Sequence, residues 1–349
     1  MDPDTEVDVD MSPFLIRYKS GRVRRLISPH RVAAGADAAT GVTSKDVSID
    51  AAGLAARLFV PTDVLGTSTR LPLLVFFHGG AFALHSAFSG AHSRLLNALV
   101  SAARVVAVSV EYRLAPEHPV PAAYDDAWAA LRWAVAACST GNEPWLSAHC
   151  DVARLFVAGD SAGANMVHQV ALRAGRSGSG GSGLPGGARI EGIALLHPSF
   201  RGRELVPSEG TDPRSPERQL AERWWAFVCA GRYGFDHPFI NPLAMPAAEW
   251  AALGCRRVLV TVAELDTMSD RGRRYVAALR GGEWKGEEAV LYETRGEGHV
   301  FFLRKSDGRD TAKEEMIAAV ASFFMASSSS AEARLGRTSA RSLRCDAKL

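Results

Sequence analysis

The chain has few cysteines, little net charge and no long hydrophobic run. Its five cysteines are odd in number and scattered, without a CxxC pair. This usage disfavours a disulfide framework and a thiolate metal site, and it favours a reducing compartment. The 40 basic and 38 acidic residues leave a net charge of +2, so the electrostatics do not indicate nucleic acid or an anionic membrane as a partner. Every apolar stretch is too short to span a bilayer.

Targeting signals are scarce as well. The segment from Met1 to Met11 is acidic and lacks an apolar centre, so we do not expect a secretory signal there. These features predict a cytoplasmic protein. The last three residues, Ala347-Lys348-Leu349, are similar to the S-K-L type of peroxisomal address, which makes the peroxisome the alternative. Residues 326–349 are rich in Ser and Arg without periodicity, and we expect them to be disordered.

Apolar residues are abundant and occur in short runs. Hydrophobic residues make up 47% of the chain and charged residues 22%, which is typical of a globular protein with a large core. The runs Leu71 to Phe77, Val105 to Val110 and Leu155 to Ala158 alternate with helical segments, of which Ala122 to Cys138 is the longest. This alternation predicts an α/β domain over residues 1–325, with a mostly parallel eight-stranded sheet flanked by helices.

Three regions depart from that alternation. The stretches Thr43 to Asp50 and Ala55 to Val60 alternate in polarity, which is typical of antiparallel edge strands. Residues 1–35 contain short apolar pieces that predict a hairpin or an arm lying over the domain. Residues 200–254 are rich in aromatic side chains and leave the predicted sheet close to the motif described next. We predict that residues 1–35 and 200–254 form a cap, although aromatic residues also pack cores.

The most informative motif is Gly159-Asp160-Ser161-Ala162-Gly163, between a predicted strand and a predicted helix. It fits the G-x-S-x-G elbow, in which a sharp turn exposes a strained nucleophilic serine. The flanking glycines are expected because the strand and helix backbones pass too close there for side chains. The N–H groups of the first helical turn favour negative charge near the serine. The alternative is an ordinary Gly/Ser turn.

A serine nucleophile needs a general base, and the base needs a carboxylate that orients it. In sheets that carry this elbow the chain order is Ser, then Asp or Glu, then His. Four histidines follow Ser161, namely His168, His197, His237 and His299. The first lies two turns along the elbow helix, the second ends a strand without an obvious acid partner, and the third lies in the predicted cap. His299 occupies a glycine-flanked loop after the last strand, and we predict that it is the base.

The acid is expected at the end of the strand Val258 to Val262. Two carboxylates follow this strand, Glu264 and Asp266. Asp266 heads the loop and is the predicted acid, with Glu264 as the weaker alternative. Asp270 falls in the first turn of the next predicted helix, where a carboxylate serves as a cap and stabilises the helix by about 1 kcal/mol.

Acyl transfer also requires hydrogen-bond donors for the oxyanion. The segment from His78 to Phe82 reads His-Gly-Gly-Ala-Phe directly after a buried strand, which matches the HGGG-type loop that supplies one side of such a hole. We predict an oxyanion hole built from Gly79, Gly80, Ala81 and Ala162. In this arrangement the amides of Gly80 and Ala81 donate, Gly79 allows close approach of the chain, and the amide of Ala162 completes the site.

These motifs together resemble the hormone-sensitive-lipase group of α/β hydrolases. The residues that carry this resemblance are Phe77-His78-Gly79-Gly80-Ala81-Phe82, Tyr112-Arg113-Leu114-Ala115-Pro116-Glu117-His118 and Gly159-Asp160-Ser161-Ala162-Gly163. The plant carboxylesterase branch of that group is indicated by Tyr124-Asp125-Asp126, Asp236-His237-Pro238, Asn241-Pro242 and Gly298-His299-Val300-Phe301. The resemblance covers roughly residues 12–325.

The resemblance implies an α/β-hydrolase fold and a triad of Ser161, Asp266 and His299 that acts on small, fairly apolar esters without a cofactor or a metal. The expected partner is therefore a small-molecule ester. The same branch resembles the gibberellin receptors, which hold a hormone in this pocket and replace the triad histidine by an apolar residue. It also resembles the 2-hydroxyisoflavanone dehydratases, an analogy at the level of the fold. We expect Tyr112 to Glu117 to brace the loop opposite the elbow.

Overall fold

The structure is a computed structural model that describes residues 2–27, 30–177, 183–305 and 308–326. The predicted disordered tail lies outside these residues from position 327 onward, and so does the tripeptide Ala347-Lys348-Leu349. In the described part of the chain, no helix combines the length and the apolar character that crossing a membrane requires.

The N-terminal arm forms a small antiparallel sheet of three strands. These are β1 (Val7–Met11), β2 (Leu15–Tyr18) and β3 (Val23–Arg25). The arm packs on the rest of the molecule through side chains of both parts. The Phe14 ring lies edge-on to the Trp224 ring at 5.3 Å between centroids. Arg25 donates to the Ala83 carbonyl at 2.7 Å and pairs with Glu117 at 2.8 Å. The sequence predicted a hairpin or an arm; β2 and β3 form the hairpin, and β1 adds a strand to it.

The main sheet has nine strands in the described residues. In chain order they are β4 (Ala36–Asp37), β5 (Val42–Ser48), β6 (Ala55–Pro61), β7 (Leu71–Phe77), β8 (Val106–Glu111), β9 (Cys150–Asp160), β10 (Ile190–Leu196), β11 (Cys255–Ala263) and β12 (Glu288–Thr294). Their spatial order is β12-β11-β10-β9-β7-β8-β6-β5-β4. The ninth strand, β4, was not predicted because two residues are too few to show a period-two pattern.

Strand direction follows the sequence prediction. The six strands from β12 to β8 in that order run parallel, whereas β6, β5 and β4 are antiparallel. Parallel strands are buried on both faces, so they read as continuous apolar runs, whereas antiparallel edge strands alternate in polarity. The mostly parallel sheet with an antiparallel edge is therefore confirmed.

Helices cover both faces of this sheet. They are α1 (Gly90–Ala103), α2 (Ala122–Thr140), α3 (Pro144–His149), α4 (Ala162–Ser177), α5 (Pro216–Val228), α6 (Ala247–Trp250), α7 (Ser269–Gly281) and α8 (Thr311–Met325). Strand β7 shows the two-sided core. Leu73, Val75 and Phe77 belong to a hydrophobic cluster that includes residues of α2, α4 and α7, whereas Leu74 and Phe76 belong to a second cluster that includes residues of α1 and α8. All five side chains are fully buried.

The parallel strands bring the loops of interest to one edge of the sheet. Successive side chains point to opposite faces, but the carboxyl ends of parallel strands all meet at the same edge, where α/β proteins bind ligands. The loops that follow β7, β9, β10, β11 and β12 begin with or carry His78, Ser161, His197, Asp266 and His299, respectively. Residues far apart in the chain therefore converge there.

Candidate active site

Ser161 occupies the turn between β9 and α4 with a φ of 51°, a left-handed backbone that is unfavourable for a residue with a side chain. Its amide donates to the Leu196 carbonyl at 2.9 Å, and its carbonyl accepts from the Ser199 amide at 3.0 Å. A Cβ at Gly163 would lie 2.6 Å from the Phe77 carbonyl carbon and closer still to its oxygen. The turn therefore requires glycine for the close approach that the sequence pattern predicted.

A chain of hydrogen bonds joins Ser161 to two residues from other loops. The Nε2 atom of His299 lies 2.9 Å from the Ser161 Oγ, and its Nδ1 atom lies 2.6 Å from the Asp266 Oδ2. The other carboxylate oxygen of Asp266 accepts from the Met268 amide at 2.9 Å. A carboxylate on Nδ1 keeps the proton there, so Nε2 is left to accept the serine hydroxyl proton.

The electrostatics of Asp266 suit that arrangement. The residue is 3% exposed, and burial by itself opposes ionisation. The hydrogen bond and the charge of His299, together with the Met268 amide, outweigh burial and hold the pKa of Asp266 below its ordinary value. The carboxylate is therefore ionised at neutral pH and can stabilise a protonated imidazole.

The other acids have different partners. Glu264 accepts from the Gly296 amide at 2.8 Å, which ties the loop after β11 to the loop after β12. Asp270 accepts from the Ser208 amide at 2.8 Å and pairs with Arg273. The prediction that Asp270 caps its helix is wrong, because α7 begins at Ser269 and Asp270 is already inside the first turn. One carboxylate oxygen accepts from Ser208 in the segment before α5 and the other pairs with Arg273 of α7, so neither caps the first amides of the helix.

The other histidines that follow Ser161 are also engaged elsewhere. His168 is fully buried, and its Nδ1 lies 2.9 Å from the Tyr275 hydroxyl. Burial lowers the pKa of His168 to about 3. The Nδ1 of His237 accepts from the Phe239 amide at 3.2 Å. Of the four histidines considered, only His299 contacts Ser161.

His197 has a structural role that the sequence did not indicate. Its Nδ1 accepts from the Val300 amide at 3.0 Å, and Val300 has a φ of 47° directly after His299. Burial, with the nearby His299, lowers the pKa of His197 to about 4, so the ring is neutral and keeps an acceptor. Sequence reasoning rejected His197 as a base. Its contact with the base loop depends on the turn at Val300, and the residue pattern carries no signal for that.

The loop after β7 faces Ser161 from the other side. The Gly79 amide donates to the Asp160 Oδ1 at 2.9 Å, and a Cβ at Gly79 would lie 2.9 Å from the Asp160 carbonyl oxygen and closer still to the carboxylate. The amides of Gly80, Ala81 and Ala162 donate to no acceptor among the described residues. Of the four residues predicted for the oxyanion hole, Gly79 therefore provides the close approach, and the other three have unused N–H groups.

Buried polar groups hold this loop in place. Asp160 is 1% exposed, and its Oδ1 lies 3.1 Å from the Nε2 of His92, whose Nδ1 contacts the Ser89 hydroxyl at 2.9 Å. Burial opposes ionisation of Asp160, but His92 keeps its pKa below the ordinary value. The Tyr112 hydroxyl donates to the His78 carbonyl at 2.8 Å. The pairing of Asp160 with His92 was missed because 68 residues separate them.

A cavity of about 490 Å³ opens above Ser161 and His299. Most of its walls are apolar or aromatic, and they include Phe14, Phe82, Trp224, Trp225, Phe235 and Met268. The Trp224 indole N–H donates to the Ala81 carbonyl at 2.9 Å. Helix α5 is thereby joined to the loop that carries the unused amides. The N-terminal arm and residues 200–254 both contribute to the walls.

The sequence profile described as "alpha/beta hydrolase fold" matches residues 74–303. The chain belongs to the α/β hydrolase family. A similar protein is "Probable carboxylesterase 2" of Arabidopsis thaliana, 39% identical over 320 residues, which cover 91% of this chain and 96% of the relative. Another is the "2-hydroxyisoflavanone dehydratase" of Glycyrrhiza echinata, 41% identical over 332 residues, which cover 92% of this chain and 97% of the relative.

Solved structures of other proteins share the fold. A thermostable esterase from Pseudomonas putida superposes with a TM-score of 0.67 at 23% identity, covering 91% of this chain and 85% of that one. The α/β-hydrolase fold predicted from the sequence is confirmed, and so is the resemblance to plant carboxylesterases. At the level of the class, the relatives also confirm the prediction of a carboxylic ester hydrolase.

One group in this α/β hydrolase has the spacing of a metal site. Among the described residues, the ligand atoms of His197, Asp266 and His299 lie within 4.8 Å of one another. The hydrogen bonds already described engage Asp266 Oδ2, His299 Nδ1 and His197 Nδ1. The cluster is therefore accounted for by its links to Ser161 and Val300, and we assign no ion to it.

Proposed function

We propose that this chain is a serine carboxylesterase that hydrolyses small, fairly apolar carboxylic esters through an acyl-enzyme on Ser161. The observation that carries this proposal is the continuous relay of 2.9 Å from Ser161 to His299 and 2.6 Å from His299 to Asp266. In this proposal His299 is the general base, and Asp266 holds its imidazole in the required tautomer and orientation.

The geometry supports a two-step reaction. Ser161 Oγ attacks the ester carbonyl while His299 Nε2 takes the hydroxyl proton, and the imidazolium then gives that proton to the departing alcohol. The amides of Gly80, Ala81 and Ala162 donate to the oxyanion, and losing one such donor typically costs about 3 kcal/mol of transition-state stabilisation. Water then attacks the acyl-enzyme with the same base.

We further propose that residues 1–35 and 200–254 form a cap over this site. Phe14 from the first segment and Trp224 from the second contact each other and line the same cavity. An apolar cavity with few polar groups favours a small organic ligand, because the hydrophobic walls supply affinity and the polar groups fix its orientation. Short-chain esters with a mainly apolar body fit that description.

The test is turnover of a short-chain p-nitrophenyl ester by purified variants. Ser161→Ala is expected to abolish turnover, and Asp266→Asn to lower kcat by about 10⁴-fold because the imidazole adopts the wrong tautomer. Glu264→Gln is the matched control, since its amide oxygen can still accept from Gly296, and it should keep most of the activity. Activity retained by the Ser161→Ala protein would contradict the proposal.

A second candidate function is a dehydratase reaction, in which the same site would eliminate water. The observation that favours it is the relative named 2-hydroxyisoflavanone dehydratase, 41% identical over nearly the whole chain. Wild-type protein should be offered a 2-hydroxyisoflavanone and a p-nitrophenyl ester in parallel. Water loss much faster than ester cleavage would favour the dehydratase. The hormone-receptor alternative has less support, because His299 is present and lies 2.9 Å from Ser161.

A further inference from the structure

Arg201 brings a positive charge into the apolar cavity. It follows β10 in the chain, and it lines the cavity together with Ser161 and Met268. Its side chain keeps 23% of its surface exposed. Ser199, two residues earlier, donates its amide to the Ser161 carbonyl at 3.0 Å. The backbone close to Arg201 is therefore adjacent to the elbow, and Arg201 lines the same cavity as the nucleophile.

The ion pairing of Arg201 within the protein is incomplete. Among the described residues its guanidinium makes one hydrogen bond, at 3.3 Å to the Glu209 Oε1. Arg271 binds both oxygens of the same carboxylate at 2.8 Å. Glu209 and Arg271 are each 4% exposed at the side chain. Two guanidinium groups thus share one carboxylate. The Glu209–Arg271 pair carries no net charge by itself, so the positive charge of Arg201 is left in excess.

The remaining charges around the cavity do not neutralise Arg201. Asp160 is engaged by His92 and by the Gly79 amide, and Asp266 is engaged by His299. Glu217 also lines the cavity, but it is exposed and forms no ion pair with Arg201 in the described residues. A guanidinium carries five N–H donors. Arg201 therefore offers unused donors and a charge without a dedicated partner to whatever enters.

We propose that Arg201 binds a carboxylate carried by the substrate, so that the preferred substrates are monoanionic esters. A guanidinium recognises a carboxylate through charge-assisted, often bidentate hydrogen bonds, and a desolvated cation is stabilised most by an anion. The carboxylate could belong to the acyl part, as in the half-ester of a dicarboxylic acid, or to the alcohol part, as in the acetate of a hydroxy acid. This proposal rests on the proposed esterase function.

Two matched pairs of esters distinguish these sources. The acyl arm compares mono-4-nitrophenyl glutarate with 4-nitrophenyl valerate, and the alcohol arm compares 3-acetoxybenzoate with 3-acetoxybenzamide. Arg201→Met should lower kcat/KM for the anionic ester of one arm by about ten-fold to a hundred-fold. It should leave both neutral esters within about three-fold of wild type, and Arg201→Lys should retain part of the preference because it keeps the charge.

Arg203→Met is the matched control. The Arg203 side chain is 80% exposed and pairs with Asp236 at 3.5 Å outside the cavity. Its loss removes an equal charge from the same segment, and it should change neither arm. If Arg201→Met lowers the anionic and neutral esters equally, or changes neither, the proposal is overturned. Melting curves check folding, which should survive because Glu209 keeps its pairing with Arg271.

A binding measurement separates this proposal from the esterase function. Calorimetric titration of the Ser161→Ala protein with glutarate and with 3-hydroxybenzoate should show binding of at least one of them. Adding Arg201→Met should weaken that binding about ten-fold or more, and raising the salt concentration should weaken it as well. If wild-type protein hydrolyses no ester, the esterase function fails, and binding that depends on Arg201 would still support the anion site. If no binding that depends on Arg201 is found, the proposed anion site is overturned.

Discussion

His197→Phe should impair the reaction without replacing any residue of the relay. Val300 adopts a left-handed backbone, which costs a residue of this type about 1–2 kcal/mol. The bond from its amide to the His197 Nδ1 at 3.0 Å compensates that cost. Without the acceptor, the amide is left unsatisfied at about 1–3 kcal/mol. We therefore expect the loop geometry that presents His299 to lose about 2 kcal/mol, and kcat to fall by up to about 30-fold.

The assay is steady-state hydrolysis of p-nitrophenyl butyrate at pH 7.5, where the reduction should appear in kcat with KM little changed. His197→Asn is the matched variant, because its side-chain oxygen can accept near the position of Nδ1, and it should recover much of the rate. Melting curves establish that both variants fold. A phenylalanine variant with wild-type kcat would show that the Val300 amide needs no acceptor. If the His197→Asn variant is as slow as His197→Phe, the loss of kcat comes from altered packing and not from the missing acceptor.

Two further predictions concern the oxyanion loop and acid stability. Gly79→Ala should lower kcat at least ten-fold, because its Cβ would overlap Asp160 and displace the loop; a wild-type rate in the same assay would refute this reasoning. Burial lowers the pKa of His168 from 6.5 to about 3, so the unfolded state binds more protons and stability declines as the pH falls below about 6.5. At pH 5 this histidine should account for about 2 kcal/mol of lost stability. His168→Gln should remove that share in urea unfolding at pH 7.5 and 5, and an unchanged pH dependence would contradict the assignment.

The sequence predicted those features that depend on local pattern or chain order. Continuous apolar runs identified the parallel strands, because a strand buried on both faces cannot alternate. The glycines at positions 159 and 163 predicted a close backbone crossing, and Gly163 does pass against Phe77. The fold rule predicts the order Ser, then an acid, then His, and the loops after two buried strands then pointed to Asp266 and His299. The structure places His299 within hydrogen-bonding distance of both Ser161 and Asp266.

Features set by tertiary contacts could not be predicted. Asp160 reads as the second residue of the elbow motif, but its buried partner His92 comes from α1 and shares no periodicity with it. His197 looked like a strand end without an acid partner, because the turn that brings the Val300 amide to it leaves no pattern in the sequence. The incomplete pairing of Arg201 could not be predicted either, because only the fold shows that Arg201 shares Glu209 with Arg271.

The most direct test of the central claim is covalent labelling of the intact protein with diisopropyl fluorophosphate, followed by mass spectrometry of the protein and its peptides. An activated serine beside a general base should give one adduct, located on Ser161, and His299→Ala should slow its formation strongly. Wild-type protein that stays unlabelled, or that carries the adduct on another residue while Ser161 is unmodified, would contradict the account.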